Sequence, residues 1–158
     1  MPHKQGFKKI LLERYAQDAN IEGIEIGCFN GEFCQYLLSE FPNMTLTTIE
    51  PYTRYGEILE RNRNFISRLN IVPLKSDWAC NVIQGEFDFV FIDGDHSYEQ
   101  CHRDILNYLS FVKKGGIMAG HNYHKANNSA HPGVHIAVDE LFGNKVGLAE
   151  DFIWYVQV

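Results

Sequence analysis

The chain has 158 residues, 45% of them hydrophobic and 22% charged, with a formal net charge of −6. This balance describes one globular domain over 1–158 and excludes a disordered or low-complexity chain. The acidic excess argues against nucleic-acid or anionic-membrane partners, and no apolar run reaches the length of a bilayer-spanning helix.

Taken in order, Phe7, Ile10, Leu11 and Tyr15 share one face of a helix predicted between about Lys4 and Ala19, with Lys8, Lys9, Glu13 and Arg14 on its solvated face. A strand, Gly23 to Ile26, runs into Gly27-Cys28-Phe29-Asn30-Gly31. A second helix from about Gly31 to Glu40 buries Phe33, Cys34, Leu37 and Leu38 and is closed by Pro42. Thr45 to Glu50 reads as a strand ending on a carboxylate and followed by Pro51. Tyr55, Ile58, Leu59, Phe65, Ile66 and Leu69 form the stripe of the next helix. Asn70 to Asp77 reads as a short strand near a sheet edge, since Pro73 cannot donate to a ladder, and a short helix is expected over Trp78 to Gln84.

Phe87 to Ile92 is an apolar run of β-formers, the pattern of a strand buried on both faces, and it stops on Asp93-Gly94-Asp95-His96. A helix follows with Tyr98, Cys101, Ile105, Tyr108, Leu109 and Val112 on its inner face, capped by Gly115-Gly116. Ile117 to Gly120 is the next strand, leading to His121-Asn122. Lys125 to Pro132 reads as a loop, Val134 to Phe142 as a helix, and Val146 to Ala149 with Phe152 to Val156 as a strand hairpin. Strand and helix alternate, so the expected architecture is α/β: a doubly wound, mainly parallel sheet with helices on both faces. Cys28, Cys34, Cys80 and Cys101 contain no CxxC pair, which points to neither a zinc site nor a disulfide framework. No hydrophobic leader precedes the first helix, and a reducing, cytoplasmic setting is expected.

Besides the Asp93–His96 end of the central strand, three further strand ends carry chemistry. Gly27 to Gly31 precedes a helix start, where free amides and small residues let a ligand approach the backbone. Its GxxxG spacing departs from the GxGxxG of dinucleotide sites, and Glu25, placed facing the pocket, suits a cationic or amine-bearing ligand. Glu50 at the next strand end can accept both hydroxyls of a ribose. Ser76-Asp77-Trp78 can border an adenine, with the carboxylate accepting from the exocyclic amine and the indole forming a flat wall.

Glu25-Ile26-Gly27-Cys28-Phe29-Asn30-Gly31, the strand-end Glu50, and above all Phe91-Ile92-Asp93-Gly94-Asp95-His96-Ser97-Tyr98 resemble a class I S-adenosylmethionine-dependent methyltransferase. The subgroup is that of macrocin- and mycinamicin-type sugar O-methyltransferases. Gly115-Gly116, Gly120-His121-Asn122-Tyr123 and Pro132-Gly133-Val134 extend the resemblance in order. It implies a Rossmann-like sheet of seven strands with the C-terminal hairpin as its antiparallel edge. It places the methionine part of S-adenosyl-L-methionine over Gly27, Cys28, Phe29 and Gly31 beside Glu25, the ribose on Glu50 next to Pro51, and the adenine near Ser76, Asp77 and Trp78. Asp93 would touch the cofactor and either hold the acceptor or coordinate Mg²⁺ or another divalent ion. His121 and Asn122 would complete that metal set.

The expected reaction is O-methylation of a small-molecule acceptor, a sugar or another hydroxyl compound, with His96 as the general base. Acceptor specificity is expected from the 125–133 loop or from a second copy of the chain in a homo-oligomer. The rival reading is a cofactor-binding module without methyl transfer, acting as a partner or regulatory subunit.

Overall fold

A computed structural model describes residues 4–125 and 130–158, with Tyr52 described through its backbone alone. The elements are α1 (Gln5–Leu12), β1 (Glu22–Ile26), α2 (Glu32–Glu40), β2 (Thr45–Ile49), α3 (Tyr55–Arg61), β3 (Leu69–Val72), α4 (Ser76–Ala79), β4 (Phe87–Ile92), α5 (Tyr98–Tyr108), β5 (Val112–Gly120), α6 (Pro132–Phe142), β6 (Gly147–Ala149) and β7 (Ile153–Gln157). The strands form one seven-stranded sheet in the order β3-β2-β1-β4-β5-β7-β6. The first five pair in parallel, whereas β7 runs antiparallel to both β5 and β6. The expected doubly wound sheet with an antiparallel C-terminal hairpin is therefore present. Among the described residues, no helix is long and apolar enough to cross a membrane.

Side-chain alternation along β4 divides the core. Phe89 and Phe91 enter one layer with Phe7 and Leu11 of α1 and Phe33 and Leu37 of α2. Val90 and Ile92 enter the other, with Cys101, Ile105 and Tyr108 of α5 and Val134, Ala137 and Val138 of α6. Phe7 sits at the centre of an aromatic cluster, 5.1 Å from Phe89 and 4.6 Å from Phe91 between ring centroids. Full burial of each such ring contributes roughly 1.5–3 kcal/mol. β1 and β4 lie side by side in the middle of the sheet, so their carboxyl ends open at the same rim, with β2 on one side and β5 on the other.

The structure departs from the sequence pattern in four places. α1 ends at Leu12 rather than near Ala19: the N–H groups of both Arg14 and Tyr15 return to the Leu11 carbonyl, turning the chain. The helix expected to run from Tyr55 to Leu69 breaks after Arg61. There the buried Asn62 side chain donates to the carbonyls of Ile58 (3.0 Å) and Gly31 (3.1 Å), tying this segment to the start of α2. Residues 63–68 continue as a tighter 3₁₀ turn, and Leu69 opens β3. Ser76 and Asp77 begin α4 instead of ending a strand. Finally, Gly115-Gly116 lies inside β5, not at a helix cap; Gly115 has φ +83°, and the β4–β5 register shifts alongside. Residues 126–129 of the expected 125–132 loop lie outside the described residues.

Candidate active site

The strand rim encloses a cavity of about 650 Å³, lined from one end by Gly27, Cys28 and Phe29, across Glu50 and Pro51, to Ser76 and Asp77, and on its other side by Asp93, His96, His121 and Asn122. This volume is within the range of small-ligand sites. Gly27 turns the chain at its floor. Its φ is +83°, and a Cβ there would lie 2.3 Å from the Asp93 carbonyl oxygen, so only glycine lets β1 pass this close to the end of β4. The N–H of Asp93 donates to the Ile26 carbonyl at 2.8 Å, and that of Gly27 to the Ile49 carbonyl at 2.9 Å. These bonds extend the sheet ladder to the point where the loops diverge.

The glycine loop and Glu50 meet directly. Phe29 adopts a left-handed backbone (φ +53°), and its N–H donates to a Glu50 carboxylate oxygen at 2.8 Å. Burial raises the Glu50 pKa, while the Phe29 N–H and nearby Arg54 pull it down. The Arg54 guanidinium lies 3.7 Å above the exposed Phe29 ring, which fixes that ring at the mouth of the cavity.

At the opposite end, Gln100 of α5 gathers a polar cluster. Its side-chain amide nitrogen donates to Asp104 Oδ1 at 2.9 Å and lies 3.2 Å from both Ser76 Oγ and Asp77 Oδ1. Burial pushes the Asp104 pKa up, and its Oδ2 is buried without a hydrogen-bond partner among the described residues. Gln100 and Asp104 both line the cavity. Sequence reasoning missed them because polar residues on a helix otherwise marked by an apolar stripe carry no site signal.

The other side of the cavity centres on Asp93. The turn after it is held by the Ser97 N–H donating to Asp95 Oδ1 (2.8 Å), and Ser97 Oγ then caps α5. Between them His96 turns back toward the strand end. Its Nε2 lies 3.3 Å from Asp93 Oδ1 and 2.7 Å from Asn122 Nδ2. Asn122 has φ +62°, a conformation asparagine tolerates better than most residues. His121 Nδ1 lies 3.4 Å from the same Asp93 oxygen. The other oxygen, Oδ2, accepts from Lys4 Nζ at 2.5 Å. Burial alone would raise the Asp93 pKa, but His121, His96 and Lys4 outweigh it and hold the carboxyl well below the usual carboxylate range. The His131 ring packs against His96 with centroids 4.3 Å apart, at the edge of a second depression formed with Tyr98, Pro132 and Ile136.

Most residues expected at the site line this cavity: Gly27, Cys28, Phe29, Glu50, Pro51, Ser76, Asp77, Asp93, His96, His121 and Asn122. Three do not. Glu25 is fully buried behind the loop, because strand alternation turns it into the core, where it accepts from Cys34 Sγ (2.8 Å) and Thr48 Oγ1 (3.2 Å). It therefore does not face the pocket. Gly31 begins α2 with φ +79° and shapes the loop from outside the lining. Trp78 is 66% exposed on the outer side of α4 and forms no cavity wall.

The donor set expected for a divalent ion is already engaged within the chain. Asp93, His121 and Asn122 do come together, but Asp93 Oδ2 is taken by an ammonium and Oδ1 by two imidazoles. Among the described residues, the trio of His, Cys, Asp or Glu with donor atoms all within 4.8 Å of one another is Glu25, Cys28 and Cys34, not Asp93 with the two histidines. A hard dication prefers several oxygen ligands and is repelled by an ammonium already in contact with the one carboxylate present. These residues do not fit one.

The fold is that of a class I methyltransferase domain, and the cavity joins the glycine loop, the Glu50 strand end and the Asp93–His96 cluster on neighbouring strands. Residues 24–123 match the family described as Methyltransferase domain, and the chain belongs to that family. It is 24% identical over 116 residues to a malonyl-[acyl-carrier protein] O-methyltransferase of Paenibacillus sp. (strain JDR-2), covering 70% of this chain and 42% of that protein. It is 40% identical over 65 residues to the caffeoyl-CoA O-methyltransferase of Populus kitakamiensis, covering 40% of this chain and 26% of that protein. The chain thus spans less than half the length of these curated relatives. Among solved structures, an O-methyltransferase from Bacillus cereus in complex with SAH aligns with a TM-score of 0.74 at 18% identity, over 100% of this chain and 82% of that one. The SAH-bound methyltransferase PaMTH1 of Podospora anserina aligns at 0.62 and 15% identity, over 86% and 70%.

Proposed function

We propose that the chain transfers the methyl group of S-adenosylmethionine to an oxygen of a small-molecule acceptor. The observation that carries this reading is the joining, in one cavity, of the Phe29–Glu50 end and the Asp93–His96 end. The cofactor's ribose hydroxyls would donate to Glu50, and its methionine part would lie over Gly27 to Phe29. The adenine would reach Ser76, Asp77, Gln100 and Asp104. That orientation directs the sulfonium toward Asp93 and His96. His96 takes the acceptor hydroxyl proton as the oxygen attacks the methyl carbon. The new O–C bond forms as the S–C bond breaks, and its electron pair stays on sulfur, leaving neutral S-adenosylhomocysteine. Holding both reactants in line supplies much of the rate, and proton removal typically adds 10²–10⁴-fold.

The acceptor class rests on the relatives: both curated ones are O-methyltransferases, acting on a carboxyl-bearing and a phenolic thioester acceptor by their names. A hydroxyl compound such as a sugar remains the proposed acceptor, entering beside His96 and His131, with a second copy of the chain free to complete its walls. The test is release of S-adenosylhomocysteine across a panel of sugar, phenolic and carboxylic acceptors, run with calorimetry of S-adenosylhomocysteine binding. Binding with turnover on one acceptor class supports the reading. Failure to bind the cofactor overturns it, and binding without product from any class favours a non-catalytic module.

A further inference from the structure

The most unusual feature of the reaction end is a lysine from the first turn of the chain. Lys4 is only 6% exposed although lysine ammonium groups are rarely buried. Its Nζ contacts Asp93 Oδ2 at 2.5 Å, with side-chain exposures of 8% and 14% for the pair. The same nitrogen lies 4.5 Å from the centroid of Phe33 and 5.5 Å from that of Phe91. Phe33 comes from α2 and Phe91 from β4, so α1, α2 and the sheet all close around one cation. Aromatic faces attract a desolvated ammonium, whereas they offer nothing to a hydrated dication that needs oxygen ligands. Lys4 also lines the cavity, so the ammonium is part of its wall and not only of the core behind it.

We propose that the Lys4 ammonium is the built-in cation of this reaction centre: it positions Asp93, offers positive charge to the acceptor oxygen as that oxygen loses its proton, and lets the protein work without a divalent metal. The inference rests on the methyl-transfer reading for its catalytic half; the metal half stands on geometry alone. One N–H of Lys4 is committed to Asp93, leaving two donors on the same nitrogen. Asp93 in turn keeps its second oxygen for His96 and His121, so a single carboxylate links the fixed cation to the proposed base. A metal entering here would have to displace the ammonium from Asp93, its salt-bridge partner, or share that carboxylate against direct charge repulsion. Lys8 and Lys9 of the same helix cannot substitute, because each is paired elsewhere, with Glu40 and Glu150.

The experiment measures Mn²⁺ binding by electron paramagnetic resonance on the full chain loaded with S-adenosylhomocysteine, for wild type, Lys4→Gln and Lys4→Arg. Calorimetric binding of S-adenosylhomocysteine on the same samples tests the cofactor reading separately. Wild type and Lys4→Arg are expected to show only the free-ion spectrum up to about 1 mM Mn²⁺, the weak end of the range of dedicated divalent-ion sites. Lys4→Gln, which frees the Asp93 carboxylate, should gain affinity by about tenfold or more. Turnover of wild type should persist in excess chelator. Bound Mn²⁺ in wild type, or turnover abolished by chelator and restored by metal, overturns the proposal; so does a folded Lys4→Gln that gains no affinity. Should Lys4→Gln fail to fold, the wild-type spectrum and the chelator experiment decide the question by themselves.

Discussion

Phe29 donates its backbone N–H to the Glu50 carboxylate at 2.8 Å from a left-handed backbone that phenylalanine rarely adopts. Such strain costs on the order of 1 kcal/mol and persists only where neighbours hold it; here the Arg54 stack and the loop glycines do so. The consequence is a carboxylate fixed in orientation before any ligand arrives. Replacing Glu50 by Ala should weaken S-adenosylhomocysteine binding about 10–100-fold, the equivalent of losing charge-assisted hydrogen bonds worth roughly 1.5–3 kcal/mol. Calorimetry checks this, and an unchanged affinity would move the ribose elsewhere. Because burial raises the Glu50 pKa, the charged acceptor is lost sooner than in an ordinary carboxylate as pH falls. Affinity should therefore drop on the acid side in wild type but stay flat in Glu50→Gln.

His96 places its Nε2 between Asp93 and Asn122, so the imidazole is held at that one nitrogen. His96→Ala should lose about 10²–10⁴-fold in turnover with cofactor affinity nearly unchanged, the pattern of a group used in proton transfer. Asn122→Ala removes only the orienting contact and should cost far less, about tenfold, chiefly in kcat. Single-turnover kinetics beside cofactor titration separates the two effects. Equal losses in both variants would assign His96 an orienting role instead.

Glu25 is a buried acid whose Oε1 has no hydrogen-bond partner among the described residues. Desolvation raises its pKa, opposed by Lys4 and by the bonds from Cys34 and Thr48. A carboxyl raised on folding contributes its full stability below the unfolded pKa and loses it as pH climbs through the folded value. Glu25→Gln should then be no more stable than wild type near pH 4 and more stable near pH 8, by on the order of 1 kcal/mol, or about 2–4 °C in Tm for a domain of this size. Thermal melts across that range check the sign. A constant difference at every pH would mean that Glu25 does not change protonation within it.

What the sequence disclosed here follows from how each signal arises. The alternation of strands and helices, the glycine loop and the Asp93-to-Tyr98 turn are local patterns, and the sheet and the cavity rim follow them closely. Glu25 was misplaced because a strand buried on both faces gives no clue to which face is the pocket side; its register opposite Thr48, beneath the Cys34 thiol, decides that only after packing. Asn62 ends a helix whose apolar stripe continues to Leu69, because its side-chain bonds, one back to Ile58 and one across to Gly31 at the start of α2, outweigh propensity. In the sequence Lys4 marks only the approximate start of the first helix. Its partner lies 89 residues along the chain, a separation no periodicity can report.

Gln100 joins α5 to α4 by presenting one amide nitrogen to Ser76, Asp77 and Asp104. Its two hydrogens cannot fully satisfy three oxygens, so the bonds are shared, and two of the acceptors are carboxylates brought close together. Asp104 depends on this donor most, being buried with Oδ2 already unpartnered. Gln100→Ala should lower stability by about 1–3 kcal/mol, the usual cost of stranding a buried polar group. It should also weaken S-adenosylhomocysteine, since the pair of acids would lose its fixed spacing at the cavity end. Gln100→Ala combined with Asp104→Leu removes the stranded carboxylate and should recover much of the stability without recovering the affinity. Denaturant unfolding and calorimetry on the single and double variants test this separation. If affinity returns together with stability, Gln100 and Asp104 serve only to pack α5 against α4, and the adenine is bound by other groups.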